Sequence, residues 1–405
     1  MANCIIAQSG GPTAVINSSV VGLLHANKNL GVFDKVYAGL NGIEGILNGN
    51  IIELSSFNDE DINAFRYTPS SGLGSCRYKM KNLEESTEEY DKLLEILKAN
   101  DIKAFFYVGC NDSMDTTAKL GKYAKETGLD IKFIGIPKTI DNDLMYTDHT
   151  PGFGSAAKFI ATTVLETYLD SSVYINNGIF IIETMGRDTG WLAASAALAK
   201  LNGKQVADFI YLPETAFDTN KFLKDVEAKF KEQNQVYIVV SEGIRTADGT
   251  FVAQSSAEAH DKFGHAQLGG VGMYLKNLII NSGITNRVKS LELGVLQRCA
   301  MHCASNIDLE EAYQVGYEAL KYAKEGFSGY MVAIKRDSNA PYSSSYFLVE
   351  ADKIANNVKY FPKEWINTDG NGLTTEAIEY LSPLVSTIPT ILTQSPMPNF
   401  KVFNK

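Results

Sequence analysis

Apolar residues along this chain fall into short runs divided by polar, glycine-bearing stretches, and the runs alternate between strand-like and helix-like spacing. Asn3 to Gln8 reads as a strand and Ser18 to Asn27 as the helix after it, with Val36 to Leu40 as a second strand. Glu84 to Asn100 carries Tyr90, Leu93, Leu94 and Leu97 at helical spacing. Ala104-Phe105-Phe106-Tyr107-Val108 is an unbroken apolar run, the pattern of a strand covered on both faces. A helix over roughly Met114 to Thr127 and the strand Phe133-Ile134-Gly135-Ile136 continue the alternation, which predicts βαβ units and a parallel sheet.

Thr150-Pro151-Gly152-Phe153-Gly154-Ser155 is a glycine-proline turn, and the first domain crossing is placed near residue 150. Beyond it the pattern predicts helices over Ala156 to Leu169, Trp191 to Lys200 and Lys221 to Gln233, the last with Phe222, Leu223, Val226 and Phe230 as a core stripe. Strands are expected over Gly178 to Glu183, Ala207 to Leu212 and Val236 to Val240. Asp308 to Lys324 reads as a helix, and Tyr330 to Ile334 with Tyr346 to Val349 as a hairpin turning at Asp337-Ser338-Asn339. Pro362 to Lys405 is irregular, with short helices and several prolines. The expected architecture is α/β: two Rossmann-like domains, each a mostly parallel sheet flanked by helices, with the active cleft between them. The first domain is assigned residues 1–150, completed by 299–405, and the second residues 151–298.

Composition narrows the function. The 405 residues, 45% hydrophobic and 21% charged, suffice for two cores. No apolar run approaches the roughly 18 residues of a membrane span, and the first residues lack the pattern of a signal peptide, so a soluble cytoplasmic protein without a membrane partner is expected. A net charge of -10 disfavours nucleic acid, so an anionic substrate needs locally placed cations. The odd, scattered cysteines imply no disulfide framework. His260 and His265, five apart, lack the one-face spacing of a helical metal pair and read as solvated. Cys299, His302 and Cys303 fall on one presumed helix, where packing is a simpler reading than zinc.

The chemistry sits in loops that follow strands, where open α/β sheets collect ligands. Ser9-Gly10-Gly11-Pro12-Thr13 joins the first strand to its helix, and adjacent glycines at a helix N-terminus can cradle a phosphate or serve only as a tight connection. Ser70 to Arg77 is a second Gly/Ser-rich loop, ending in a guanidinium. Gly109-Cys110-Asn111-Asp112-Ser113 leaves the all-apolar strand, and Pro137-Lys138-Thr139-Ile140-Asp141-Asn142-Asp143 leaves the next one. Carboxylates beside a fixed cation and a hydroxyl compose a phosphoryl-transfer site; an Asx-rich surface turn is the competing reading.

These stretches, with Met185-Gly186-Arg187, Ser241-Glu242-Gly243 and Leu293 to Arg298, resemble the ordered motif set of the phosphofructokinase superfamily. The resemblance implies Asp141 as the general base for a sugar hydroxyl, with Thr139 beside it, and Gly10, Gly11 and Arg77 at the donor phosphate. It implies Met185, Gly186, Arg187, Glu242, Val295 and Arg298 at the sugar phosphate. ATP users of the family have glycine where this chain has Asp112 and Lys138, and pyrophosphate users have aspartate and lysine. An Asp112 side chain crowds and repels a nucleotide's α-phosphate, while Lys138 neutralises a departing phosphate. Mg²⁺ is the implied cofactor, with Asn111 at the metal position usually held by aspartate. Val295, Lys289 and Gly178 depart from the family pattern around the sugar phosphate. The implied reaction is reversible phosphorylation of fructose 6-phosphate by pyrophosphate in a homodimer or homotetramer. Another acceptor such as sedoheptulose 7-phosphate, or a catalytically silent regulatory paralogue, stands as the alternative.

Overall fold

The computed structural model describes residues 2–253, 268–391, 393–394 and 397–403; His260 and His265 lie outside them. The chain opens with β1 (Asn3–Gln8), α1 (Ile16–Leu30), β2 (Val36–Gly39), α2 (Gly42–Leu47) and β3 (Ile51–Glu53). α3 (Asp59–Arg66) begins where the Asn58 side chain accepts the Asp61 N–H at 2.8 Å, with acidic residues filling its first turn. Next come α4 (Glu88–Ala99), β4 (Ile102–Gly109), α5 (Asn111–Glu126), β5 (Lys132–Pro137), α6 (Phe153–Ser171) and β6 (Gly178–Thr184). α7 (Trp191–Ala194) is short, followed by β7 (Lys200–Leu201), β8 (Lys204–Gln205), β9 (Phe209–Tyr211), α8 (Thr219–Gln233) and β10 (Gln235–Ser241). The remainder is α9 (Val271–Asn281), β11 (Val288–Glu292), α10 (Leu296–Cys299), α11 (Asn306–Lys324), β12 (Tyr330–Asn339), β13 (Tyr342–Glu350), α12 (Ala351–Ile354), α13 (Thr375–Leu381), β14 (Thr393–Gln394) and β15 (Met397–Pro398).

Two compact units emerge. The first comprises Met1–Ser155, Arg298–Val358 and Ser386–Lys405, the second Ala156–Gln297 and Lys359–Val385. In the first unit the sheet order is β13-β12-β5-β4-β1-β2-β3, with β5, β4, β1 and β2 parallel. Alternation sends Cys4, Ile6, Phe106 and Ile134 to one face, under α1 and α11, and Ile5, Phe105, Tyr107 and Phe133 to the other, under α4 and α5. The helices α1 and α11 meet backbone to backbone: a Cβ on Gly22 would lie 1.9 Å from the Tyr313 carbonyl oxygen, and one on Gly316 1.9 Å from that of Ser19. The turn between β12 and β13 falls at Ala340-Pro341, beyond the expected Asp337 to Asn339, because β12 keeps pairing as far as Asn339.

In the second unit the order is β11-β6-β10-β9, all parallel. Ile179, Ile181, Val236, Ile238 and Val240 pack against Phe222 and Val226 of α8 and Leu275 and Ile279 of α9. Residues 359–385 stand in this unit rather than in the first, where the whole of 299–405 is expected. The reason is an aromatic cluster: Trp191 packs against Phe361, Trp365 and Tyr380, and its indole N–H donates to the Lys359 carbonyl at 3.0 Å. Cys299 ends α10 while a separate 3₁₀ turn holds His302 and Cys303, so the expected single helix is broken at Ala300. Among the described residues no helix is long and apolar enough to cross a membrane.

Candidate active site

Three neighbouring strands of the first unit, β1, β4 and β5, end side by side, with Gln8 opposite Val108 and Gly109 opposite Pro137. Their loops therefore emerge at one place, on either side of the point where the strand order reverses. The Gln8 and Asn17 side chains, both fully buried, bond at 2.8 Å and tie the first loop to the Gly/Ser-rich one: Asn17 receives the Gly72 N–H and Gln8 the Leu73 N–H. Gly10, at φ +75°, donates its N–H to the Cys76 carbonyl, and its own carbonyl accepts the Ser75 hydroxyl at 2.7 Å. Arg77 thus leaves a segment already pinned to Gly10.

Lys138 comes in from β5, only 1% exposed, and its Nζ donates to the Gly11 carbonyl at 2.6 Å. A Cβ on Gly10 would stand 3.3 Å from that Nζ and 3.4 Å from Cys110 Sγ, and one on Gly11 3.4 Å from Arg298 Nη1. Burial draws the Lys138 ammonium below the usual lysine range, with Arg298 acting in the same direction and Asp141 and Asp143 opposing it. Burial raises the Cys110 thiol; Lys138 pulls it down, and Asp143, Asp112 and Asp141 push it further up. Arg298 in turn is lowered by burial and by Arg77, with Asp141 opposing. Lys138 and three carboxylates therefore act on the Cys110 thiol, with Arg298 beside Lys138 and Arg77 beside Arg298. Among the described residues there is no Lys138–Asp112 ion pair; the lysine points at the glycine loop.

Asp141 is half-buried in a turn that Thr139 shapes: the Thr139 hydroxyl accepts the Asp141 N–H at 3.1 Å and donates to Asp141 Oδ2 at 3.2 Å. Asp112 lies in the first turn of α5, where a carboxylate suits the helix's positive end. Asn111 faces elsewhere. Its Nδ2 donates to the carbonyls of Ile354 and Asn357, and its Oδ1 accepts the Asn356 N–H at 2.5 Å, so both ends of the amide clamp the turn after α12.

In the second unit β6 and β10 run in register from Gly178 opposite Gln235 to Thr184 opposite Ser241, bringing Met185-Gly186-Arg187 beside Glu242. Glu242 Oε1 accepts the Gly186 N–H at 3.2 Å and the Ser241 hydroxyl donates to the Gly186 carbonyl at 2.5 Å. Gly186 sits at φ +132°, and a Cβ on Gly243 would fall 2.0 Å from the Arg187 carbonyl oxygen, so both glycines are required by the close approach of these loops. Gln297 holds the Met185 N–H at 3.1 Å, and Val295 is 55% exposed. Arg298 is the residue the structure moves: it belongs to the first unit, beside Gly11, whereas the reading had grouped it with the sugar-phosphate domain. The buried groups Gln297, His149, Asp308 and Glu311 carry no sequence signal of function, because each meets partners far away in the chain.

A sequence profile described as phosphofructokinase matches residues 3–323. The chain is 43% identical over 386 residues to the pyrophosphate–fructose 6-phosphate 1-phosphotransferase of Methylococcus capsulatus, covering 95% of this chain and 91% of that one. To the enzyme of the same name from Halomonas elongata it is 42% identical over 386 residues, with 95% and 91% covered. The crystal structure of a pyrophosphate-dependent phosphofructokinase from Nitrosospira multiformis superposes with a TM-score of 0.87 at 37% identity, covering 98% of this chain and 95% of that one.

Proposed function

The chain belongs to the phosphofructokinase family, and on that footing we propose that it phosphorylates fructose 6-phosphate at C1 with pyrophosphate, giving fructose 1,6-bisphosphate and phosphate. The observation that carries the donor assignment is the buried Lys138 with its Nζ on the Gly11 carbonyl, a cation built into the glycine loop where the family's ATP users have no side chain. Asp141 takes the C1 hydroxyl proton as the C1–O–P bond forms. The bridging P–O bond of pyrophosphate breaks, and Lys138, with Arg77 and Arg298 near it, offsets charge on the departing phosphate. Thr139 orients the base. Gly10 and Gly11 receive the donor phosphate without side-chain obstruction, and Asp112 excludes a nucleoside by bulk and like charge. Met185, Gly186, Arg187, Glu242 and Val295 of the second unit take the sugar phosphate. The bond broken and the bond formed are closer in energy than when ATP is the donor, so the reaction runs in both directions.

Mg²⁺ belongs to this reading, and when bound it neutralises charge on the pyrophosphate oxygens. Such ions are held by one or two carboxylates together with substrate oxygens. Asp112 and Asp143 fit that donor set, and among the described residues no cluster of three His, Cys, Asp or Glu side chains forms a ready-made cage. Asn111 does not fit, since its amide is committed to residues 354–357. A cytoplasmic homodimer or homotetramer is part of the same proposal, read by size-exclusion chromatography. The deciding experiment is a coupled assay of the purified protein with pyrophosphate or ATP against fructose 6-phosphate and sedoheptulose 7-phosphate. Preference for pyrophosphate and the six-carbon ester is expected. Preference for ATP sinks the donor assignment, and silence with every pair sinks the enzyme reading.

A further inference from the structure

Behind the Thr139–Asp141 turn lies a buried charged network that the reaction as described does not use. His149 is 1% exposed, with Nδ1 2.7 Å from Asp148 Oδ1 and Nε2 2.5 Å from Glu311 Oε2. Asp148 Oδ1 also accepts two N–H groups of Arg336, at 3.1 and 2.8 Å, and Glu311 Oε1 accepts the Tyr342 hydroxyl at 2.5 Å. Both carboxylates are thus acceptors on every side, and both imidazole nitrogens must donate, so the ring is held as the cation. The charged and titratable groups around it are Glu311 from α11, Arg336 from β12, Tyr342 from β13 and Asp148 from its own segment, with Asp308 one turn from Glu311 on α11.

The residues next to His149 hold the catalytic turn. Thr150 Oγ1 donates to the Thr139 carbonyl at 2.9 Å, the Thr139 N–H donates to the Pro151 carbonyl, and Thr139 and Gly152 form a parallel bridge. Asp308, a turn away from Glu311 on α11, receives the N–H groups of Gly152 at 2.8 Å and Ser155 at 2.9 Å. One helix face therefore grips this segment twice, at the His149 ring and at the Gly152 backbone. We propose that His149 is a positioning residue: its imidazolium, clamped between Asp148 and Glu311, holds Thr150–Gly152 in place and through them fixes the Thr139–Asp141 turn. The inference rests on the reading of Asp141 as the base.

Burial alone lowers the ring's proton affinity, but Glu311 and Asp148 outweigh it and hold His149 at about 9, above its ordinary 6.5. A raised value means the clamp is fully present below the ordinary histidine range and is lost as pH rises through about 9. The test compares parent, His149→Gln and Glu311→Gln by kcat and KM against pH, with hydrogen exchange of the peptide spanning residues 138–152. In His149→Gln we expect kcat to fall ~10- to 100-fold, the scale for a misplaced catalytic group, with both KM values within about threefold and the alkaline limb gone. Glu311→Gln should move that limb down by about one pH unit or more, since one of the two stabilising charges is removed. Exchange at 138–152 should rise in both. A folded His149→Gln protein with kcat within twofold of the parent overturns the proposal. If that variant does not fold, an unmoved limb and unchanged exchange in Glu311→Gln overturn it. The exchange readout needs no turnover, so a parent inactive with pyrophosphate condemns the functional reading and leaves this one to be judged separately.

Discussion

In the proposed reaction Asp141 and Thr139 form the smallest unit that the chemistry needs, a carboxylate bonded to a hydroxyl two residues earlier. Asp141→Ser should therefore lower turnover ~10²- to 10⁴-fold with an unchanged circular dichroism spectrum, because a serine hydroxyl cannot take a proton at neutral pH. Turnover within twofold of the parent would remove Asp141 from the role of base. Donor choice is also a residue-scale matter. Lys138→Gly should cut pyrophosphate turnover ~10²- to 10³-fold, the usual scale for one lost transition-state cation, while Asp112→Gly should admit ATP without efficient transfer. The double variant, measured by kcat/KM for each donor, should use ATP better than either single one; equal ATP use in all three would dissociate these positions from donor choice. The residues most readily found in the sequence were those that stand in compact motifs. His149 and Arg298 were less legible, since a lone histidine and an arginine at a domain boundary say nothing about which carboxylates or glycines they will meet.

At the scale of elements, the strand-end loops are positioned by pairing and the helices by how closely they approach. The α1–α11 contact has glycine on both sides, and α11 carries the Asp308 and Glu311 that grip the segment behind the base. Gly22→Ala gains roughly 1 kcal/mol of helix propensity, yet its methyl would enter space held by the Tyr313 backbone, where overpacking costs about 1–3 kcal/mol or more. The expected net effect is loss of stability, seen as a lower urea midpoint; a higher midpoint would mean that the helices separate at little cost. The helix expected over Trp191 to Lys200 ends at Ala194 and gives way to a 3₁₀ turn, and α2, α3, α9 and β11 have no counterpart in the expected pattern. Most of the other strands and helices were read within a few residues from apolar period. The hairpin turn and the break after Cys299 were not, because strand pairing and 3₁₀ geometry are decided across the sheet and at the helix end rather than by local composition.

For the whole molecule, both tryptophans of the chain lie in the aromatic cluster of the second unit, while the loops proposed to bind pyrophosphate lie in the first. Tryptophan fluorescence therefore reports the second unit, and far-ultraviolet circular dichroism reports both. Pyrophosphate at about a hundred times its Kd should stabilise the unit that binds it by ~2.7 kcal/mol and raise the dichroism midpoint by on the order of 5 °C, with a smaller shift in fluorescence. ATP at the same concentration should move neither midpoint by more than about 1 °C. Equal shifts in both signals would mean that the two units unfold as one.

The alternation of strands and helices, the glycines at tight turns and the order of the polar loops are legible in the amino-acid sequence, because these depend on local period and on residue chemistry within a few positions. From that alone Asn111, Asp112, Lys138 and Asp141 are expected at neighbouring strand ends, and the resemblance to phosphofructokinases is what adds Gly10 to them. It took the fold to show that Lys138 bonds to the Gly11 carbonyl, that Arg298 stands beside Gly11, that the Asn111 amide is spent on the turn after α12, and that residues 359–385 pack around Trp191. Each of these joins residues far apart in the chain, and what selects the partner is burial: a buried amide, ammonium or imidazole must find its acceptors wherever the fold brings them.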